Sequence, residues 1–149
     1  MSERAIKRIV VGLDGSAGAS EALEWAISLA RVHGAEVVAV HAISVMGYAT
    51  DPLGIASMPG INEARDAAQA LFEKEWCQPL RNANIPHRMA ALDGGAAGAI
   101  KTVADREDAD LIVVGTRGHG GFSELLLGSV GHQLAHHARR PLLVVPIRE

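Results

Sequence analysis

The stretch LIVVGTRGHGGFSELLLGSV, running from Leu111 to Val130, decides how the rest of the chain is read. It opens with Leu111-Ile112-Val113-Val114, a short β-branched run bounded by glycine, the pattern of a strand buried on both faces. Glycines then crowd the chain at Gly115, Gly118, Gly120, Gly121 and Gly128 before a helical pattern resumes at Ser129. Glycine admits positive φ and lets a backbone approach a ligand closely, and a helix start offers unpaired N–H groups and a positive dipole end. Strand, glycine loop and helix start together suit an anion. The stretch is not a Walker loop, since no Gly-Lys-Ser/Thr follows, nor is its spacing the dinucleotide GxGxxG.

Working outward, the chain alternates strand and helix. Arg8 to Leu13 reads as the first strand, with Asp14-Gly15-Ser16 as the turn that ends it. Ala19, Leu23, Ala26, Ile27 and Ala30 recur at helical spacing through His33, and Gly34 stands where a helix C′ glycine belongs. Glu36 to Ala42 is a second strand. Ile43 to Gly60 carries Gly47, Pro52, Gly54 and Pro59 without a period and reads as a long loop, either a lid or a plain insert. A helix follows from Ile61 to Ala83, with Pro79 expected to kink or end it. His87 to Leu92 is a third strand, Asp93-Gly94-Gly95 a turn, and Ala96 to Glu107 a helix. Beyond the glycine loop come a helix from Ser129 to Ala138 and a last strand, Leu142 to Val145. Such alternation predicts parallel strands with right-handed crossovers and helices on both faces of one sheet.

The 149 residues are 48% apolar but only 3% aromatic, so the core must be built from Ala, Val, Leu and Ile. That composition argues against stacking platforms for single-stranded nucleic acid, and a net charge of −3 leaves no basic footprint for DNA or RNA. The single cysteine, Cys77, cannot form an internal disulfide, which fits a reduced structural thiol. No apolar run approaches the ~20 residues of a spanning helix, and Met1-Ser2-Glu3-Arg4 leads directly into a strand, so no membrane partner and a cytoplasmic location are expected. One domain over residues 1–149 is the expected organisation.

Gly115-x-x-Gly118, nine residues, then Gly128-Ser129 resembles the G-2x-G-9x-G-(S/T) signature of the ATP-binding branch of the universal stress protein family. The resemblance extends to the VVGLDGS opening (Val10 to Ser16), the VVAVHA strand (Val37 to Ala42) and the closing PLLVVP (Pro141 to Pro146). It implies a single-domain, doubly wound five-stranded parallel sheet in the order 3-2-1-4-5, adenine nucleotide alpha hydrolase-like. In such sheets the ligand sits beyond the strand ends where the order reverses, here between the first and fourth strands. Gly118, Gly128 and Ser129 match the positions that hold ribose and phosphates, with Val130 adding a helix-start N–H. Val114 and Gly115 match the strand end that carries the nucleoside, Gly12 and Asp14 the facing rim, and Ala42 the main chain that meets the adenine. A carboxylate beside a polyphosphate is repelled unless a cation intervenes, so Asp14 either faces the nucleoside or helps hold Mg²⁺.

The resemblance implies an ATP-binding regulator of the stress response with at most slow hydrolysis, dimerising through its last strand, Leu142 to Val145. An exposed apolar edge there points the same way. Two other functions use the same crevice: a receptor for cyclic AMP or AMP, and a phosphoryl- or adenylyl-transferring enzyme. Each motif also has a plainer account. The glycine loop can be a turn with a cap at Ser129, Asp14 can simply shape an Asp-Gly turn, and Arg117 reaches a phosphate or sits in solvent. His132 and His136, four apart on a helix, lack a third ligand and read as a surface pair. Ser129 lacks the first glycine of a nucleophile elbow, so no catalytic residue is assigned.

Overall fold

A computed structural model describes residues 3–43, 60–116 and 127–147. Five strands, β1 (Arg8–Gly12), β2 (Glu36–Ile43), β3 (His87–Asp93), β4 (Leu111–Gly115) and β5 (Leu142–Val145), form one sheet in the order β3-β2-β1-β4-β5. All neighbouring pairs are parallel. The strand order therefore reverses between β1 and β4, as the resemblance implies.

The helices are α1 (Ala17–His33), α2 (Ile61–Leu71), α3 (Gln78–Ala83), α4 (Ala96–Arg106) and α5 (Ser129–His137). Two cores result because β side chains alternate faces. Ile9, Val11, Leu13, Val37 and Ala39 pack against α1, Phe72 and Leu80, whereas Val10, Val38, Val40, Ile112 and Val114 pack against α4 and Leu134 of α5. Each fully buried aliphatic side chain contributes ~1.5–3 kcal/mol relative to exposure. Alternation within near-continuous apolar strands is what lets β1 serve both layers.

Local chemistry sets the helix ends. α1 begins two residues earlier than its apolar period suggests, because Ser16 Oγ caps it by accepting the Ala19 N–H at 3.2 Å. It ends at Gly34 in the left-handed region, φ 66°, as the glycine predicts. The single helix expected over Ile61 to Ala83 is instead α2, a π-helical turn (Phe72–Trp76) and α3. The Cys77 N–H reaches back to the Phe72 carbonyl at 3.1 Å, and Pro79 falls in the first turn of α3, where its missing N–H costs nothing.

At the end of the sheet away from the crevice, charges tie the strands together. Glu36 accepts from Arg8 Nε at 3.2 Å and from Arg88 at 2.7 Å, and Arg88 also pairs with Glu107. Asp110 accepts the backbone N–H groups of Lys7 (2.8 Å) and Arg8 (3.1 Å), fastening the start of β1 beside β4. The Arg88 hydrogen bond holds the Glu107 carboxyl below the usual carboxylate range.

Candidate functional site

Beyond β1 the chain turns sharply. Asp14 Oδ1 accepts the Ser16 N–H at 2.9 Å, the side-chain bond of an Asx turn, and Gly15 follows at φ 83°. Gly15 is also pressed against Trp76 of the π-helical turn: a Cβ there would lie 2.6 Å from the indole ring. Only glycine satisfies both conditions. The Asp-Gly-Ser sequence thus ends β1, makes the rim and caps α1 in three residues.

This rim borders a cleft of about 520 Å³, open to solvent, at the carboxyl ends of β1, β2 and β4. Six residues expected from the sequence line it: Gly12, Asp14, Ala42, Val114, Gly115 and Val130. Gly128 and Ser129 are the N-cap and first residue of α5, next to Val130 but not among the lining residues. Gly118, Arg117 and most of the long loop read as a lid or a plain insert, residues 44–59, lie outside the described residues. Of the two reasons for glycine offered by the sequence, positive φ and close approach of a ligand, the first does not apply to Gly128, whose φ of −66° any residue adopts.

The cleft also takes in residues the sequence did not single out. Val40 of β2, Ala96 and Ile100 of α4 and Ala19 of α1 add apolar wall, and Leu13 and Ser16 complete the rim. Ala96 starts the helix after β3, so its place above the strand ends follows from the crossover rather than from any local motif. Asp14 is the one charged side chain among the described lining residues. Among the described residues, attraction for an anion comes from backbone N–H groups, and the start of α5 supplies them. Its first i→i−4 bond is His132 N–H to the Gly128 carbonyl at 2.9 Å, so the N–H groups of Ser129, Val130 and Gly131 precede the ladder.

The end of β2 has a particular hydrogen-bond arrangement. The Val40 carbonyl accepts from Leu13 N–H at 2.8 Å, toward β1, and the Ile43 carbonyl accepts from Gly94 N–H at 3.1 Å, toward β3. Strand alternation therefore aims both backbone polar groups of Ala42 at the β1 side, past the point where β1 has ended. Between them, His41 is 8% exposed and sends Nδ1 to the Leu13 carbonyl at 3.3 Å. A carbonyl only accepts, so Nδ1 carries the proton. The buried Nε2 has no hydrogen-bond partner among the described residues. Burial lowers the His41 pKa, opposed by the Leu13 carbonyl and the charge of Asp14.

Among the described residues no group of three or more His, Cys, Asp or Glu is placed to hold a metal ion. His132 and His136 have ring centroids 4.6 Å apart on an exposed face of α5. Cys77 is buried, and that burial pushes its thiol up to about 11. No helix among the described residues is long and apolar enough to cross a membrane.

The model of the universal stress protein family matches residues 5–146. A universal stress protein of Thermus aquaticus is 36% identical over 140 residues, covering 93% of this chain and 98% of that one. Among solved structures, the universal stress protein UspA from Lactobacillus plantarum superposes with a TM-score of 0.83 at 23% identity, covering 96% of this chain and 99% of that chain. A universal stress protein in complex with cAMP has a TM-score of 0.64 at 26% identity, covering 97% and 100%. With its strand order, its crevice and a family match from end to end of the sheet, this chain belongs to the universal stress protein family.

Proposed function

We propose that the cleft binds an adenine nucleotide, ATP foremost, and that the chain acts as a nucleotide-dependent regulator in the stress response. The observation that carries this reading is the convergence of Gly12, Asp14, Ala42, Val114, Gly115 and Val130 on one crevice at the reversal of strand order. Apolar walls from Val40, Ile100 and Val114 suit a flat base. The N–H and carbonyl of Ala42 suit the donor and acceptor along an adenine edge. Phosphates would lie at the start of α5, where Gly128 lets them approach and Ser129 adds a hydroxyl.

Mg²⁺ fits this arrangement as a companion of the phosphates rather than as a resident ion. The described cleft offers one carboxylate, Asp14, and Mg²⁺ is commonly held by one or two carboxylates plus phosphate oxygens and water. Hydrolysis is expected to be slow at most, because Asp14 is engaged in shaping its own turn and no other general base lines the described cleft. We place the protein in the cytoplasm as a homodimer joined through β5.

A monophosphate reading has one specific support: the related structure complexed with cAMP, together with a described cleft that contains no cationic side chain for a triphosphate. Thermal unfolding of nucleotide-free protein against ATP, ADP, AMP and cyclic AMP, each with and without Mg²⁺, separates the two. Ligand at ~100 times its dissociation constant adds ~2.7 kcal/mol, a rise of roughly 5–10 °C for a chain of this size. The largest rise is expected with ATP. A larger rise with cyclic AMP or AMP would make the monophosphate the ligand, and no rise with any nucleotide would overturn the site.

A further inference from the structure

We infer that His41 is a positioning residue for base recognition: it ends the β1–β2 ladder by taking the Leu13 carbonyl, and so keeps the Ala42 N–H available to the ligand. This rests on the nucleotide reading and names the residue that makes its base subsite. The regular ladder runs as far as Gly12 opposite Val40, closed by the bond from Leu13 N–H to the Val40 carbonyl. The next rung of a parallel pair would run from Ala42 N–H to the Leu13 carbonyl. That rung is missing, Leu13 lies outside β1, and the Leu13 carbonyl instead faces His41 Nδ1 at 3.3 Å. One side chain has replaced a rung.

The replacement is built rather than incidental. The His41 ring is held between Phe72, with centroids 5.3 Å apart, and Trp76, 5.1 Å away and edge-on. Both aromatics belong to the π-helical turn, whose extra residue changes the helix phase just where they pack. Trp76 in turn lies against Gly15, so the same aromatic pair fixes His41 and the rim. His41 approaches from the face of α1 and α3, while the cleft opens on the face of α4 and α5. The histidine therefore acts on the subsite through Leu13 without touching the ligand.

Two variants and one nucleotide-independent measurement test this. His41→Phe keeps a ring between Phe72 and Trp76 but removes the donor. His41→Asn places an amide N–H near the position of Nδ1. In nucleotide-free protein, NMR hydrogen exchange at the Ala42 amide should be fast in the wild type and in His41→Asn, and at least tenfold slower in His41→Phe, where the rung can close. Adenine nucleotide affinity should fall about tenfold in His41→Phe, the size of one hydrogen bond, and stay within about threefold of wild type in His41→Asn. Equal Ala42 exchange in wild type and His41→Phe, or equal loss of affinity in both variants, would overturn the role. If the wild type binds no adenine nucleotide, the nucleotide reading fails, and the exchange rates still decide whether His41 ends the ladder.

Discussion

Gly115, at the end of β4, stands so close to Gly18 in the first turn of α1 that a Cβ at position 115 would lie 2.6 Å from the Gly18 carbonyl carbon and oxygen. Backbone cannot swing aside as a side chain can. Gly115→Ala should therefore push α1 away from the sheet and cost about 1–3 kcal/mol, the usual range for overpacking. Gly12 is the contrasting case, since its Cβ would meet the Ile100 side chain, 2.5 Å from the terminal Cδ1. Gly12→Ala should fold with near-wild-type stability after Ile100 changes rotamer, yet narrow the cleft and weaken nucleotide binding. Urea midpoints of the two variants measure the contrast, and equal midpoints would contradict it.

The reason for each glycine was only partly legible in the sequence. Glycine clustering after Val114 pointed to a ligand loop, and Gly115 does line the cleft, but its tightest constraint is helix α1, which no local pattern announces. The alternation of strands and helices, the Asp-Gly turn and the cap at Gly34 all depend on neighbours in sequence, and they were legible. The π-helical turn was not: Phe72 to Trp76 has ordinary helix formers, and only packing of Phe72 and Trp76 around His41 distinguishes it. His41 itself sits in an apolar strand and reads there as one more buried residue. Its significance depends on where β1 stops.

The protonation of His41 gives the protein a pH-dependent stability. Its pKa is lowered in the folded state chiefly by burial, with Asp14 the charged group that partly opposes the shift. The unfolded chain takes up the proton near pH ~6.5, and the folded chain resists it. The stability from neutral His41 is thus fully present above ~6.5 and declines as pH falls below that value, until the folded form also protonates. Urea unfolding between pH 7.5 and 5.5 should show this decline in the wild type and a smaller one in His41→Phe. An identical pH slope in both would assign the effect to other groups.

Cys77 should behave as a core residue rather than as a redox sensor. It is fully buried beside Phe72 and Leu80 in the core under α1, and its thiol is raised to about 11. Thiolate is the reactive form, so both accessibility and ionisation oppose modification at neutral pH. Native protein should label with iodoacetamide at least a hundredfold more slowly than urea-unfolded protein, as followed by intact mass. Rapid labelling of the native state would show that the α2–α3 region opens readily.

The proposed homodimer can be tested at a single backbone group. The carbonyls of Pro141, just before β5, and of Val145, at its end, point to the β4 side, accepting from Ile112 and Thr116 N–H at 2.9 Å each. Alternation then aims the N–H and carbonyl of Leu142 and Val144 at the open edge, where a second copy of β5 would pair. Proline at position 144 removes an outward N–H and leaves the ladder to β4 intact, whereas proline at 143 removes an inward one. Sedimentation velocity should find the wild type dimeric and Val144→Pro monomeric with its fold retained. Leu143→Pro should instead lose stability, because it removes a ladder hydrogen bond to β4. A monomeric wild type would remove the β5 interface, and a dimeric Val144→Pro would move it to another face of the sheet.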